Sequence, residues 1–259
     1  MEIKKSAIVY FSATNTTQKI VEAIAEGTGM DNIHKFDITK GQEPELNFDK
    51  DDLVIFGLPV YAGRIPAISV NSLNKFKGNH TPAIIVCVYG NRDYDDALLE
   101  LYNVVSGNGF SIISAGVFIG QHSIFPRTAL GRPDREDLDK ARNFGRESVN
   151  KVAEFDNPTL FPNIEVKGNF PYKIPNPIPL VPKGDRKCNG CGKCVQKCPV
   201  QAIDIKTPRR TDKSLCIACA GCIKVCPQNA RSFRGIVYLI ASRKFTKAYA
   251  IRKEPETTL

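Results

Sequence analysis

The sequence predicts an α/β chain: a five-stranded, doubly wound parallel sheet followed by a second, smaller α+β domain. Three observations lead there. Over the first 155 residues, short and continuously apolar runs rich in Ile and Val alternate with helical patterns, as expected of strands buried on both faces of a parallel sheet. A proline-dense stretch then breaks the pattern. Beyond it, eight of the nine cysteines fall between Cys188 and Cys226.

The runs at 7–11, 53–58, 83–89 and 111–119 are the strand candidates, with 33–38 a weaker fifth. Between them, residues 16–26 place Ile20, Val21, Ile24 and Ala25 on one helical face, and Gly27 and Gly29 are available to stop that helix. Residues 94–106 and 134–154 repeat the pattern. The latter opens with Pro133, Asp134, Glu136 and Asp137, which suits the positive end of a helix dipole. Alternating strand and helix imply right-handed crossovers. Residues 156–184 contain Pro158, Pro162, Pro171, Pro175, Pro177, Pro179 and Pro182, so they are expected as a semi-rigid extended spacer. The expected organisation is a first domain at 1–155, a linker at 156–184, a cysteine-rich domain at 185–235 and a basic tail at 236–259.

At 259 residues and 42% apolar content, the chain can build one full core plus a smaller unit that needs extra staples. Residues 1–5 are charged and lead into no secretory apolar core, and no stretch approaches the ~20 apolar residues of a membrane span. A soluble cytoplasmic protein is expected. Cytosolic thiols stay reduced, so the cysteines read as metal ligands rather than disulfides. Cys87, alone in an apolar run, reads as a core thiol. The net charge of +9 divides unevenly: residues 1–155 carry 17 Lys and Arg against 20 Asp and Glu, and residues 156–259 carry 19 against 7. Such a basic half ordinarily points to phosphate surfaces, but the cysteines offer a nearer explanation.

Cys188, Cys191, Cys194, Cys198, Pro199 and Ala202 match Cys216, Cys219, Cys222, Cys226, Pro227 and Ala230 at an offset of 28 residues. Both copies read Cys-x-x-Cys-x-x-Cys-x-x-x-Cys-Pro. Three closely spaced thiolates can wrap one cubane while the fourth points away. Structural zinc sites pair two Cys-x-x-Cys knuckles instead. The segment resembles the bacterial two-cluster ferredoxins, and that resemblance implies two 4Fe-4S clusters in which each fourth cysteine ligates the other cluster. The implied sets are Cys188, Cys191, Cys194 with Cys226, and Cys216, Cys219, Cys222 with Cys198. Clusters with their thiolates are anionic, so the 11 basic and 3 acidic side chains of residues 185–235 are local compensation. Such cationic surroundings are expected to raise the cluster potentials.

After the first strand comes Ser12-Ala13-Thr14-Asn15-Thr16-Thr17. Hydroxyls and backbone NH groups at a helix N-terminus bind a phosphate dianion without a lysine. The loop resembles the phosphate loop of flavodoxins, with Asn15 where Gly is usual; Asn tolerates a left-handed backbone. In that fold the loops after the third and fourth strands flank the flavin ring. Here they read Pro59-Val60-Tyr61-Ala62-Gly63-Arg64 and Tyr89-Gly90-Asn91-Arg92-Asp93-Tyr94-Asp95, with small residues for close approach and tyrosines able to stack. Arg64 and Arg92 suit either the flavin or a partner's charge. His122, in the loop after the fifth strand, reads as a proton donor near the flavin or as a surface residue; His34 and His80 look ordinary.

Taken whole, the chain resembles the flavodoxin/ferredoxin fusion proteins of anaerobic bacteria. The resemblance implies strand order 2-1-3-4-5, FMN and two 4Fe-4S clusters, and electron transfer between them, with an external redox protein as donor or acceptor. No nucleic-acid partner is expected. Two alternatives stand beside this reading: a flavin-dependent reductase of a small organic acceptor, and an iron-sulfur protein that binds nucleic acid or acts as a sensor. No Gly-x-Gly-x-x-Gly fingerprint follows a strand, which weighs against direct oxidation of a nicotinamide dinucleotide.

Overall fold

Alternate side chains of the apolar runs point to opposite faces of one sheet, and both faces are covered. The computed structural model describes residues 3–41, 43–175 and 179–259; Pro177 lies outside them. The first domain runs β1 (Lys5–Tyr10), α1 (Thr16–Gly27), β2 (His34–Asp37), β3 (Leu46–Phe48), β4 (Asp52–Pro59), α2 (Ala67–Leu73), β5 (Phe76–Gly78), β6 (Thr81–Tyr89), α3 (Ala97–Gly107), β7 (Phe110–Ile119) and α4 (Arg135–Ala153). The second contains β8 (Lys183–Gly184), α5 (Lys193–Lys197), α6 (Gly221–Lys224) and β9 (Arg231–Ser232). The chain then forms α7 (Ile236–Ala248) and β10 (Glu256–Thr258). Among the described residues, no helix is long and apolar enough to cross a membrane.

Strands β2, β1, β4, β6 and β7 lie side by side and parallel. Counted as five core strands, this is the order 2-1-3-4-5. The expected five-stranded sheet has a sixth member, because β10 pairs antiparallel with β7, Glu256 opposite Val117 and Thr258 opposite Ala115. Its polar, exposed residues show no apolar alternation; an edge strand held by main-chain bonds does not need one. The short pair β3 and β5 and the helix α2 are likewise additions to the sequence-based expectation.

Period-2 alternation divides the core. Val9, Phe56 and Ile85 pack with Phe76, Leu101 and Phe110 on one face, and Ile8, Ile55 and Val86 pack with Ile20, Ile24 and Phe144 on the other. Cys87 is fully buried and its thiol pKa is pushed far up by desolvation, as a core residue requires. Asp134 caps α4 reciprocally: its carboxylate accepts from Asp137 N at 3.1 Å, while Asp137 accepts from Asp134 N at 2.9 Å.

The proline-rich segment is not a free spacer. Ile164 and Val166 join the core, and Asp96 accepts from Asn169 N at 2.8 Å and Lys173 N at 2.6 Å. Prolines stop such a segment from pairing with itself, but its remaining NH groups and apolar side chains can still be captured by a neighbouring surface. The tail is captured too. Asn91 donates to Tyr249 O at 2.9 Å and Ile251 O at 2.8 Å and accepts from Lys253 N at 3.2 Å, and Arg252 pairs with Asp134 at 2.7 Å.

Two glycines let α1 and α4 touch backbone to backbone. A Cβ on Gly145 would lie 2.0 Å from Ile24 O, and one on Gly27 would lie 1.9 Å from Arg142 O. Gly145→Ala therefore forces the helices apart. Urea denaturation should show it destabilised by about 1–3 kcal/mol, the usual cost of overpacking, whereas Gly107→Ala, with open space around it, should be near neutral.

Candidate functional site

The carboxyl ends of β1, β4, β6 and β7 open into a cavity of about 510 Å³, the position where α/β sheets of this order take ligands. Each of the four following loops contributes a wall. Ser12, Ala13, Thr14, Thr16 and Thr17 come from the first, and Pro59, Val60, Tyr61, Ala62 and Gly63 from the second. Tyr89, Gly90, Arg92 and Asp93 come from the third, and residues 120–125 from the fourth. The remaining wall comes from Lys173, Pro179 and Leu180 of the proline-rich segment, Ile217 and Ala218 of the second domain, and Val237, Ala241 and Phe245 of α7.

The first loop is a set of donors waiting for an acceptor. Asn15 adopts φ 63° and turns the chain into α1. Ser12 is fixed, its Oγ accepting from Gln18 N at 3.1 Å and its NH bonded to Thr39 Oγ1 at 2.8 Å. Among the described residues, the amides of Thr14, Asn15, Thr16 and Thr17 have no hydrogen-bond partner, as at any uncapped helix start. The Thr14 and Thr16 hydroxyls stand 3.2 Å apart beside them. Such a cluster fits a phosphate dianion.

The second loop turns tightly on Ala62 (φ 53°) and Gly63 (φ 88°). Gly63 is required there, because a Cβ would strike the Asp95 carboxylate at 2.3 Å. Arg64 points away from the cavity: it forks onto Glu100 at 2.7 and 2.6 Å, donates to Lys173 O at 2.9 Å and stacks on Tyr172. It holds the proline-rich segment.

Several residues expected at a flavin stand elsewhere. Asn15 is exposed and absent from the cavity lining; it contributes backbone shape. Asn91 clips the tail. Asp95 lies behind Gly63, paired with Arg92 and, at 3.2 Å, with Lys173. Tyr94 is 4% exposed, and its hydroxyl donates to Glu256 at 2.7 Å. Tyr89 borders the cavity, but its ring is 2% exposed and packed edge-on against Tyr94 at 5.6 Å. Neither ring is free to stack on a ligand. Tyr61, edge-on to Phe11 at 6.2 Å, is the aromatic of these loops that remains at the cavity wall.

The cysteines gather as two sets. Cys188, Cys191, Cys194 and Cys226 ring a small cavity with Arg231 on its border. Cys198, Cys216, Cys219 and Cys222 lie close together: burial pushes the Cys219 thiol up to about 12, and the neighbouring Cys222, Cys198 and Cys216 act in the same direction. The duplication is visible in the bonds: Ala202 N donates to Cys198 Sγ and Ala230 N to Cys226 Sγ, both at 3.3 Å. Gly190 and Gly192 (φ 77° and 73°) correspond to Ala218 and Ala220 (φ 53° and 62°). Alanine accepts this backbone at a cost of about 1–2 kcal/mol; in exchange, both methyls pack with Ile124 of the first domain.

His122 exceeds its sequence-based expectation. Its Nδ1 accepts from Ile124 N at 3.1 Å and Phe125 N at 3.2 Å, which places its proton on Nε2. Burial, and secondarily the Arg92 charge, push its pKa down to about 4. The folded chain thus holds the ring neutral while the unfolded chain protonates it near pH 6.5. Stability from this group is full above pH 6.5 and lost as pH falls towards 4. Between pH 7 and 4.5 the wild type should lose about 2–3 kcal/mol more than His122→Gln, as read from urea midpoints.

A family model described as a flavodoxin domain matches residues 7–97, and one described as a 4Fe-4S dicluster domain matches residues 187–231. The chain is 43% identical over 49 residues to an uncharacterized protein of Methanocaldococcus jannaschii, 19% of either chain. It is 40% identical over 48 residues to a component of the ion-translocating oxidoreductase complex of Methanosarcina acetivorans, 18% of either chain. The matched segments span only about a fifth of these curated relatives. Among solved structures, the WrbA-like flavodoxin of Agrobacterium tumefaciens aligns with TM-score 0.42 at 18% identity, over 58% of this chain and 98% of that one. The Fusobacterium nucleatum flavodoxin bound to flavin mononucleotide aligns with TM-score 0.41 at 16% identity, over 58% and 98%. The chain carries a flavodoxin domain, for which FMN is the implied cofactor, followed by a 4Fe-4S dicluster domain.

Proposed function

We propose that this protein relays single electrons between two 4Fe-4S clusters and an FMN held within the same chain. The observation that carries the reading is the contact between the second cysteine motif and the flavin cavity. Ile217 and Ala218 line that cavity, Cys219 packs into the flavodoxin core, and Gly221 comes so close to the phosphate loop that a Cβ there would lie 3.1 Å from Ala13 O. The first motif sits farther out, with Cys191 exposed.

In this reading Cys216, Cys219, Cys222 and Cys198 hold the cluster beside the flavin. Cys188, Cys191, Cys194 and Cys226 hold the outer one, which an external redox protein reaches. When bound, FMN takes up one or two electrons and each cluster one. The chain supplies binding, orientation and exclusion of water. Ser12, Ala13, Thr14, Asn15, Thr16 and Thr17 form the phosphate cradle. Pro59, Val60, Tyr61, Ala62, Gly63, Tyr89 and Gly90 border the ring. Val237, Ala241 and Phe245 shut out solvent, and His122 keeps a neutral Nε2–H donor on the wall. The amides of Ala202 and Ala230 donate to the exchanged cysteine sulfurs, and hydrogen bonds to sulfur are among the factors that set cluster potential.

Anaerobic purification with iron, sulfide and flavin quantitation tests the reading. The full chain should hold about eight iron, the content of two cubanes, and one FMN. Cys219→Ser should keep the flavin and the outer set, drop to about four iron, and slow flavin reduction by an electron donor that works through the clusters at least tenfold in stopped-flow absorbance. Eight iron with no flavin, even after FMN is added, would refute the relay.

A further inference from the structure

The offset of 28 residues gives each position of one cysteine repeat an equivalent in the other, and the symmetry fails at one buried place. Ile203, 3% exposed, packs between Cys194 and Cys222. Its equivalent is Arg231, 2% exposed. Burying a full charge where the other repeat buries a hydrocarbon costs several kcal/mol unless negative charge compensates it. Around Arg231 the guanidinium donates to Pro208 O, Pro182 O at 3.1 Å and the Thr211 hydroxyl, and the Cys222 side chain lies within its hydrogen-bonding reach. Among the described residues, no carboxylate pairs with it, and its Nε is buried without a hydrogen-bond partner.

The missing negative charge is close by. The guanidinium borders the cavity ringed by Cys188, Cys191, Cys194 and Cys226. Its field also reaches Cys216 and Cys222 of the other set. It thus stands between the two sites, with one free N–H and no carboxylate to answer.

Resting on the two-cluster reading above, we propose that Arg231 is the shared counter-ion of the cluster pair, donating its free Nε–H to a sulfur and raising the reduction potential. Reduction adds one electron, and so one negative charge, without a bond being made or broken; a fixed cation favours the more negative state. Ile203 supplies no such bias at the equivalent position. Arg231 is a tuning residue, and the pseudo-symmetric repeat carries the means to make its two clusters unequal.

The test is an EPR-monitored dithionite titration of the anaerobically purified full chain, with iron counted in every sample. At full iron content, Arg231→Gln should lower the reduced-to-oxidised ratio of at least one cluster at fixed potential tenfold or more, equivalent to a midpoint shift of about 59 mV for one electron. Arg231→Lys should retain most of the wild-type midpoint. Unchanged midpoints in Arg231→Gln at full iron overturn the proposal and leave the arginine a staple between residues 182, 208 and 211. Where Arg231→Gln does not assemble, the wild type decides. Protein grown on ¹⁵N-arginine should show ¹⁵N hyperfine coupling in the spin-echo spectrum of a reduced cluster, and its absence overturns the proposal. Iron well below eight in the wild type would sink the two-cluster reading itself, and this proposal with it.

Discussion

The contact of Gly221 with the carbonyl of Ala13 is the constraint around which the rest of the molecule is arranged. It brings the backbone of the small domain onto the loop that precedes α1 of the large one, and only a residue without a side chain fits there comfortably. Close approach matters because the second cysteine set and the flavin cavity must be neighbours for the proposed relay. The left-handed alanines 218 and 220 serve the same contact. Their equivalents in the outer repeat are glycines that face open space or a flexible side-chain end, that of Ile205; at the interface the methyls contribute packing that offsets their backbone strain.

Two straps hold this contact from either end of the small domain. On the entering side, Asp96 and Arg64 grip the proline-rich segment through its backbone. On the leaving side, α7 lies over the cavity, Asn91 clips the chain after it, and β10 joins the sheet. Asp96, Arg64 and Asn91 bond main-chain groups, and side chains of the gripped segments add to the hold: Ile164 and Val166 enter the core, Tyr172 stacks on Arg64 and Arg252 pairs with Asp134.

The parts of the fold that obey local rules were legible in the sequence. The five core strands follow from apolar runs, α4 from its acidic start, and the two cysteine sets from their spacing and repeat. The cluster of amides and hydroxyls before α1 was legible because a helix start leaves consecutive donors unpaired, and Ser and Thr are favoured there. What escaped depends on pairs distant in sequence. Tyr89 and Tyr94 look like stacking residues until Glu256, from the tail, binds the Tyr94 hydroxyl and closes both rings into the core. Asn91 looks like a turn residue at a flavin until residues 249–253 arrive to be clipped. His122 is an unremarkable loop histidine in sequence, and its two amide donors come from the loop's own return at Ile124 and Phe125. In each case the deciding partner carries no pattern that singles it out.

The strand β10 changes what kind of object the dicluster unit is. Because residues 256–258 pair with the edge of the sheet begun by residues 5–10, the cysteine-rich segment lies between two stretches of chain that share one sheet. Its excision by truncation in the proline-rich segment would remove β10 as well. It would strip β7 of its covering strand and expose an unpaired apolar edge, the kind of template on which chains associate edge to edge. A separable large domain would have to be made as an internal graft, joining residue 184 directly to residue 235 so that the tail still returns to the sheet.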